Sequence, residues 1–600
     1  PVPSYIVTKG NSGIWRDFSK QNTWTANAYV NYTKTFAKKH NLNVMAGVNA
    51  EEEEYKYLYG TRNVMYDQEG YPELNMAGKD GQDLSWNHTS RASAGYFGRI
   101  NYDYKGIYLL ELNGRYDGSS RFPHTDQWAF FPSASIGYRF SEEAYFAPLK
   151  HIVSNGKLRA SFGEIGNEAV GDYMFEQLIS QRLNNKSTGY IYWIENNNAN
   201  ANLLTMYNMP DLVSSTLTWE RIRTLNIGLD LGLLNDELTI GFDWFQRENR
   251  DMLAPAQVLP NTLGASAPYE NAGTLRTRGW ELNLNWRHTF GDFDVYANFN
   301  IGDSKTKVTK WDNDSKLLST YYTGKTYGDI FGFETDRYFE EKDFTSQNAD
   351  GSWNYANGIA SQAGLESGNF HYGPGDVKFK DLDGNGKIDG GKGTADDHGD
   401  LKVIGNSMPR YEYSFHLGGA WKGIDLDLYF QGVGKREDWT TSSLNLPAMV
   451  HADVAIYSHQ TSYNKVLWNS DYTAITGYEV NQGNRYPRLY RGTNNSGGTV
   501  SGIANGCNNY YPQSRYLTDM SYLRLKNVTV GYTLPKEWTR KAYIEKARIY
   551  FSGSNLFLLH KGNDLPVDPE ISTGNGLTAG GWGRIAPITR TFSFGVQVTL

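Results

Sequence analysis

The sequence predicts an all-β chain folded as a transmembrane antiparallel β-barrel, and three observations carry that prediction. Apolar and polar residues alternate with a period of two along many segments. These segments run to roughly 10–14 residues, enough for a tilted bilayer crossing with some overhang. The connections between them alternate between short and long, as in barrels with turns on one side and loops on the other.

The alternation is explicit in several places. Tyr108, Leu110 and Leu112 fall on one face, and Glu111, Asn113, Arg115 and Asp117 on the other. Trp280, Leu282, Leu284 and Trp286 alternate with Glu281, Asn283, Asn285 and Arg287. Ile424, Leu426, Leu428 and Phe430 alternate with Asp425, Asp427, Tyr429 and Gln431. The last segment sets Phe592, Phe594, Val596, Val598 and Leu600 against Thr591, Ser593, Gln597 and Thr599.

About fifteen strands are predicted, near 24–36, 41–57, 92–104, 107–117, 129–140, 157–166, 219–231, 237–250, 276–290, 292–306, 409–421, 424–432, 517–532, 546–558 and 590–600. The connections on one side are short. Those on the other are long: 58–91, 118–128, 167–218, 251–275, 307–408, 433–516 and 559–589. A soluble sandwich gives no reason for such sorting, whereas periplasmic turns and extracellular loops do.

The pattern implies a direction. The final strand runs inward and leaves the C-terminus in the periplasm, and the first also runs inward, so residues 1–23 read as extracellular loop. An odd strand count does not suit a closed bacterial barrel, and an open sheet in lipid leaves edge groups unsatisfied. Further strands are therefore expected upstream. The start Pro1-Val2-Pro3, without initiator Met or export signal, fits that expectation.

Composition agrees. The chain has 43 Tyr, 27 Phe, 16 Trp and 63 Gly against 19 Pro, which suits twisted strands, aromatic girdles and polar loops. A mean hydropathy of −0.59 and 20% charged residues leave no stretch for a membrane helix. The net charge of −7, without a Lys/Arg run, gives no nucleic-acid footprint. The single Cys507 forms no internal disulfide.

A set of segments now carries a family resemblance. They are 96–102 (Tyr-Phe-Gly-Arg-Ile-Asn-Tyr), 110–122 (Leu-Glu-Leu-Asn-Gly-Arg-Tyr-Asp-Gly-Ser-Ser-Arg-Phe), 131–139, 158–163, 375–381, 523–532 and 551–557. In this order they resemble the barrel of SusC/RagA-type TonB-dependent transporters, from about residue 92 to the end. The resemblance implies a 22-stranded barrel of which about 15 strands are present, the plug and TonB box having no match in this chain. It also implies a SusD-like surface lipoprotein, energy from TonB, and import of oligosaccharides or peptides across the outer membrane of a Gram-negative bacterium. Members often end in Phe, where this chain has Leu600.

Two groups of candidate site residues stand out. In the run 381–389, Asp381, Asp383, Asn385, Lys387 (through its main-chain carbonyl) and Asp389 occupy the ligand positions of an EF-hand-like calcium loop, with Gly386 at the sharp turn and Ile388 behind it. Lys392 stands where the closing acid belongs, so Asp396 or Asp397 is expected to substitute. Ca²⁺ is preferred to Mg²⁺ because ligands are many and the loop flexible; an acidic solvated turn is the plainer reading. The second group is loop aromatics suited to stacking on sugars: Tyr190, Tyr192 and Trp193 beside Asn196–Asn198, with Tyr321, Tyr322, Trp353, Tyr355 and Trp439. Catalysis is not expected. Gly302-Asp303-Ser304 lacks a nucleophile elbow, Gly386-Lys387 lacks the Ser/Thr of a P-loop, and no His-Glu-x-x-His pair occurs. Glu111, Arg115, Asp425 and Asp427 are expected to line a lumen or contact a plug. The alternatives to active import are a passive porin and a secreted glycan-binding β-module.

Overall fold

The computed structural model describes residues 13–600 except 64–72, 78–81, 180, 184–204, 208–209, 211, 215–216, 256–266, 368–369, 441–443, 448–455, 490–491, 494–498, 501–507 and 571–587. Among the described residues fifteen strands form the main sheet, in chain order. They are β1 (Gly13–Phe36), β2 (His40–Asn63), β3 (Asp83–Tyr104), β4 (Tyr108–Ser119), β5 (Trp128–Tyr138), β6 (Val153–Asn167), β7 (Glu220–Leu233), β8 (Leu238–Pro255), β9 (Tyr269–Phe290), β10 (Phe293–Lys310), β11 (Arg410–Trp421), β12 (Ile424–Lys435), β13 (Tyr522–Thr533), β14 (Lys546–Lys561) and β15 (Thr591–Thr599). Among the described residues β1 pairs only with β2, and β15 only with β14. By contact the chain divides into two compact units.

The first unit is Pro1–Arg139, Arg159–Leu225 and Arg247–Thr274. Its first three strands are 24, 24 and 22 residues long. This corrects the expectation of loop at 1–23 and 58–91 over residues 13–23, 58–63 and 83–91, which are strand; residues 1–12, 64–72 and 78–81 lie outside the described residues. The alternation of apolar residues fades at Ala26 and Ala50, but the backbone ladder continues in register to Gly13↔Asn63 and Thr61↔Asp83. Polar cross-strand pairs hold it: Trp24 Nε1 donates to Glu52 (2.8 Å) and Gln21 Nε2 to Glu53 (2.9 Å). β4 joins β3 only from Ser93↔Ser119 onward, so the upper part of β1–β3 stands beyond its neighbour as a three-stranded blade.

Beyond β4, the segment Gly118–Phe122 turns into a small core. Phe122 is fully buried, its ring 5.0 Å from that of Trp219. Phe131, Val170 and Leu217 complete the cluster. Arg121 pins it from the side, donating to Asp172 at 2.9 Å and to the Glu168 carbonyl at 2.9 Å.

The second unit is Phe140–Leu158, Asn226–Gln246 and Leu275–Leu600. β10–β11 and β11–β12 keep one antiparallel register, Phe293↔Trp421 to Gly302↔Glu412 and Trp421↔Ile424 at the next turn, whereas the register shifts at Tyr429/Phe430 between β12 and β13 and at Leu523/Arg524 and Leu525/Asn527 between β13 and β14. The turn at Lys422-Gly423 has φ of +46° and +92°. Both central residues are left-handed, the geometry whose twist matches the flanking strands.

The long connections 311–409 and 436–521 fold together within this unit. Phe333, Tyr338, Phe339, Phe370, Tyr372, Val377 and Phe379 of the first pack with Leu446, Tyr486, Tyr510 and Tyr516 of the second in one buried cluster. Buried carboxamides satisfy the irregular backbone inside it. Gln362 accepts from the Phe379 N–H at 2.6 Å and donates to the Val377 carbonyl at 3.0 Å. Asn509 accepts from the Val377 N–H at 2.8 Å.

Candidate functional site

Within each unit the strands have two chemically distinct faces. One exposes large apolar side chains: Ile100, Leu112, Phe130 and Ile136 in the first unit, Leu417, Ile424, Leu426, Val530 and Phe551 in the second, and Phe592, Phe594, Val596 and Val598 on β15. Exposed apolar residues recurring at every second position across many strands mark a surface made for lipid.

The other face is a hydrogen-bonded polar lattice. On β4, Arg115 clasps Asp117 through Nε (3.0 Å) and Nη2 (2.8 Å) and reaches Asn49 at 3.2 Å. Asn113 donates to Glu111 at 2.7 Å and accepts from Arg99 at 2.9 Å. Gly95 lies beneath the clasp, where a Cβ would come within 2.1 Å of Asp117 Oδ1. An open cavity of about 580 Å³ follows, lined by Glu111, Arg115, Asp117, Ser133, Ser161 and Glu164. Glu164 accepts from Arg221 Nη1 (2.7 Å) and Arg223 Nε (2.6 Å). In the second unit Asp425 pairs with Arg548, and Asp427 sits between the Tyr296 hydroxyl and His416 Nε2. Glu111, Arg115, Asp425 and Asp427 are therefore members of ion-pair and hydrogen-bond networks on the polar face.

The acidic loop adopts a tight coil. Asp381 accepts from the N–H groups of Gly384 (2.7 Å) and Gly386 (2.9 Å), Asp383 from Asn385 (3.0 Å), Asn385 from Lys387 (2.8 Å) and Asp389 from Gly391 (2.8 Å). Gly384 and Gly386 take φ of +75° and +77°, open only to glycine at low cost. Ile388 is buried in the aromatic cluster, and its N–H donates to the Ser361 carbonyl at 2.9 Å. Carboxylate oxygens of Asp381, Asp383 and Asp400 lie within 4.8 Å of one another. Asp400 is fully buried and holds the loop closed, accepting from Leu382 N (2.6 Å) and Asp389 N (3.0 Å). The acid brought to the site is thus Asp400. Asp396 instead pairs with Lys316, and Asp397 with Lys392 at 3.6 Å. Sequence spacing missed Asp400 because the turns at 390–399 hide its proximity.

The loop aromatics divide. Tyr190, Tyr192 and Trp193 lie outside the described residues. Trp353, Tyr355 and Trp439 are partly buried and pack on the aromatic cluster, Trp353 5.1 Å from Phe344. Tyr321 stands parallel to Tyr327 at 5.6 Å and edge-on to Trp311 at 5.0 Å, and Lys325 lies over Tyr322 at 5.6 Å. Sequence reasoning missed the row Tyr55, Tyr57 and Tyr59 on the polar face of the blade; its signal was the Tyr-x-Tyr-x-Tyr repeat at 55–59.

Residues 4–396 match the family model described as TonB dependent receptor-like, beta-barrel. The TonB-dependent receptor P3 of Formosa agariphila is 27% identical over 99% of this chain and 54% of its own length. The TonB-dependent receptor SusC of Bacteroides thetaiotaomicron is 25% identical over 91% of this chain and 48% of its own. The chain spans about half the length of the curated relatives it matches. A structure of the RagAB peptide transporter superposes with a TM-score of 0.68 at 20% identity, covering 98% of this chain and 56% of that one. By name these are TonB-dependent receptors and a transporter rather than enzymes, and the chain belongs to the TonB-dependent receptor-like β-barrel family.

Proposed function

We propose that the chain forms part of the barrel of an active importer of the SusC/RagA type. Such an importer takes oligosaccharides, or peptides, across the outer membrane with a SusD-like surface lipoprotein and TonB. The observation that carries this reading is the division of the strands, in each unit, into an exposed apolar face and a hydrogen-bonded polar face. The first suits lipid and the second a water-filled lumen. The edges of β1 and β15 need partners in lipid, so further strands close the barrel around a plug. The long connections then lie outside the cell, and the short turns and the C-terminus in the periplasm. The test is substrate uptake by cells carrying the full-length protein, with and without TonB. Uptake that needs TonB supports import; uptake indifferent to TonB makes the protein a porin.

The same reading gives the loop at 381–400 a structural ion, Ca²⁺ rather than Mg²⁺, held by Asp381, Asp383, Asn385, the Lys387 carbonyl and Asp389, with Asp400 beneath. Its role would be to stiffen the long connection after β10. Calcium calorimetry on the wild type decides the matter.

A further inference from the structure

The blade of β1–β3 presents an ordered surface on its polar side. Register places Asp17, Tyr59 and Ser85 in one rung, Ser19, Tyr57 and Asn87 in the next, and Gln21, Tyr55 and Thr89 in the third. Trp15, which is exposed, stands above them opposite Thr61 and Asp83. Every aromatic of the middle strand is thus flanked on both sides by a short polar side chain. Tyr55 and Tyr57 have ring planes within 10° of parallel, with centroids 6.4 Å apart. The row continues downward without a change of face. The next rungs are Thr23, Glu53 and Arg91, then Thr25, Glu51 and Ser93, then Asn27, Asn49 and Gly95, where Asn49 meets Arg115. Arg91 and Gln21 both donate to Glu53, at 2.8 and 2.9 Å. An aromatic row therefore runs straight into the polar lattice of the sheet.

The chemistry selects the occupant. The backbone of the middle strand is paired on both sides along the whole row. It has no free N–H or C=O to add an extended peptide as a further strand. What remains on offer is ring faces and edges spaced two residues apart, bordered by hydroxyls, carboxamides and one carboxylate. Apolar ring faces suit the C–H faces of a sugar, and the bordering groups donate to and accept from its hydroxyls.

We infer that Tyr55, Tyr57 and Tyr59, with Trp15 above them, form a stacking track for a linear neutral oligosaccharide on its way to the polar face. The inference rests on the import reading and assigns its substrate class to named residues. Fully buried aromatics of the loop cluster are excluded from this role because their faces are already covered.

The test uses the full-length protein in lipid nanodiscs, titrated calorimetrically with cellohexaose, maltohexaose, mannohexaose and xylohexaose, and with hexa-alanine as a peptide. The track predicts that at least one hexaose binds. Tyr57→Ala should weaken it about tenfold, and the Tyr55→Ala/Tyr57→Ala pair further. The Tyr→Phe triple variant, which keeps the rings and the fold, should stay within about threefold of wild type. Failure of every hexaose to bind overturns the inference, as does equal binding by the paired alanine variant, or binding of hexa-alanine alone. The two readings fail separately. Uptake of the bound hexaose without TonB removes the importer and leaves the track. TonB-dependent uptake with binding unchanged in the alanine variants removes the track and leaves the importer.

Discussion

Arg488 grips Asp376 with two parallel hydrogen bonds, Nε to Oδ1 at 2.8 Å and Nη2 to Oδ2 at 2.7 Å, across 112 residues of chain. The carboxylate has no solvent exposure. It is further fed by Asn509 Nδ2 at 2.8 Å and Gly373 N at 2.8 Å. This clamp ties the connection after β10 to the connection after β12. Asp376→Ala takes the carboxylate from a mostly buried guanidinium that still donates to the His371 carbonyl, a loss of about 3–5 kcal/mol where the pair is enclosed. The expected outcome is faster proteolytic cleavage within 330–520 while cleavage elsewhere is unchanged. The Asp376→Leu/Arg488→Met pair should recover much of the resistance, because no charge is then left alone.

Asp438 behaves in the opposite sense. It is almost fully buried beyond β12, and Arg436 Nη2 lies 2.9 Å from Oδ2 without hydrogen-bond alignment, so among the described residues neither oxygen receives a hydrogen bond. Burial pushes its carboxyl up to about 6, against a weaker pull from Arg436. The folded state holds the proton more tightly than the unfolded chain. Ionisation therefore costs stability above that pH, and the cost is relieved as pH falls through 6 toward the unfolded value near 4. Asp438→Asn should stabilise the loop region by about 3 kcal/mol at pH near 8, with the gain gone by pH near 4. Denaturant unfolding of both proteins at the two pH values checks it; a gain independent of pH would refute the assignment.

Calcium should bind the 381–400 loop with one site per chain and raise its resistance to protease. Asp383→Ala removes an exposed ligand and should weaken binding about tenfold or more with little effect on the metal-free fold. Asp400→Ala should do both kinds of damage, since its carboxylate also caps Leu382 N and Asp389 N. Calorimetry shows the first effect and metal-free thermal unfolding the second. A wild type that binds no calcium ends the idea.

The two faces of β4 should respond oppositely to charge. Leu112 is exposed on the apolar face and Asn113 points to the polar one. Near the middle of a bilayer, Leu112→Lys should cost about 2–4 kcal/mol in folding from lipid vesicles. Asn113→Lys should cost far less there. Equal, small effects would mean that no lipid covers Leu112.

What the sequence made legible was the part with a short repeat. Ile424–Gln431 alternates in sequence, and the structure keeps the alternation over Ile424–Asp427, where Ile424 and Leu426 are exposed and Asp425 and Asp427 half-buried. The same period betrayed the order of β4 and β5, and the short turns announced themselves through Lys-Gly pairs. The blade was misread where both faces turn polar: Lys20 and His88 look like loop, yet they sit on either side of Lys56 in an unbroken ladder. Asp400 was missed for a different reason. Its place at the acidic loop depends on a succession of turns between Gly390 and Gly399, which spacing alone does not reveal. The aromatic cluster was beyond reach because its contacts join residues more than a hundred positions apart, and Trp353 offers no sign in sequence that it is spoken for.

The sheet and the aromatic cluster also differ in when they can form. Main-sheet strands pair in chain order, and where a tight turn joins two of them, as at Lys422-Gly423 between β11 and β12, loop closure is short and pairing is local. The cluster needs Phe333 and Tyr516 together. Until β11 and β12 are in place and the chain beyond them has arrived, the first long connection has no second half to fold against. Assembly is therefore ordered in time, with the scaffold first and the cap last, and the interval between them is when the unburied rings of 333–379 are most exposed to misassembly.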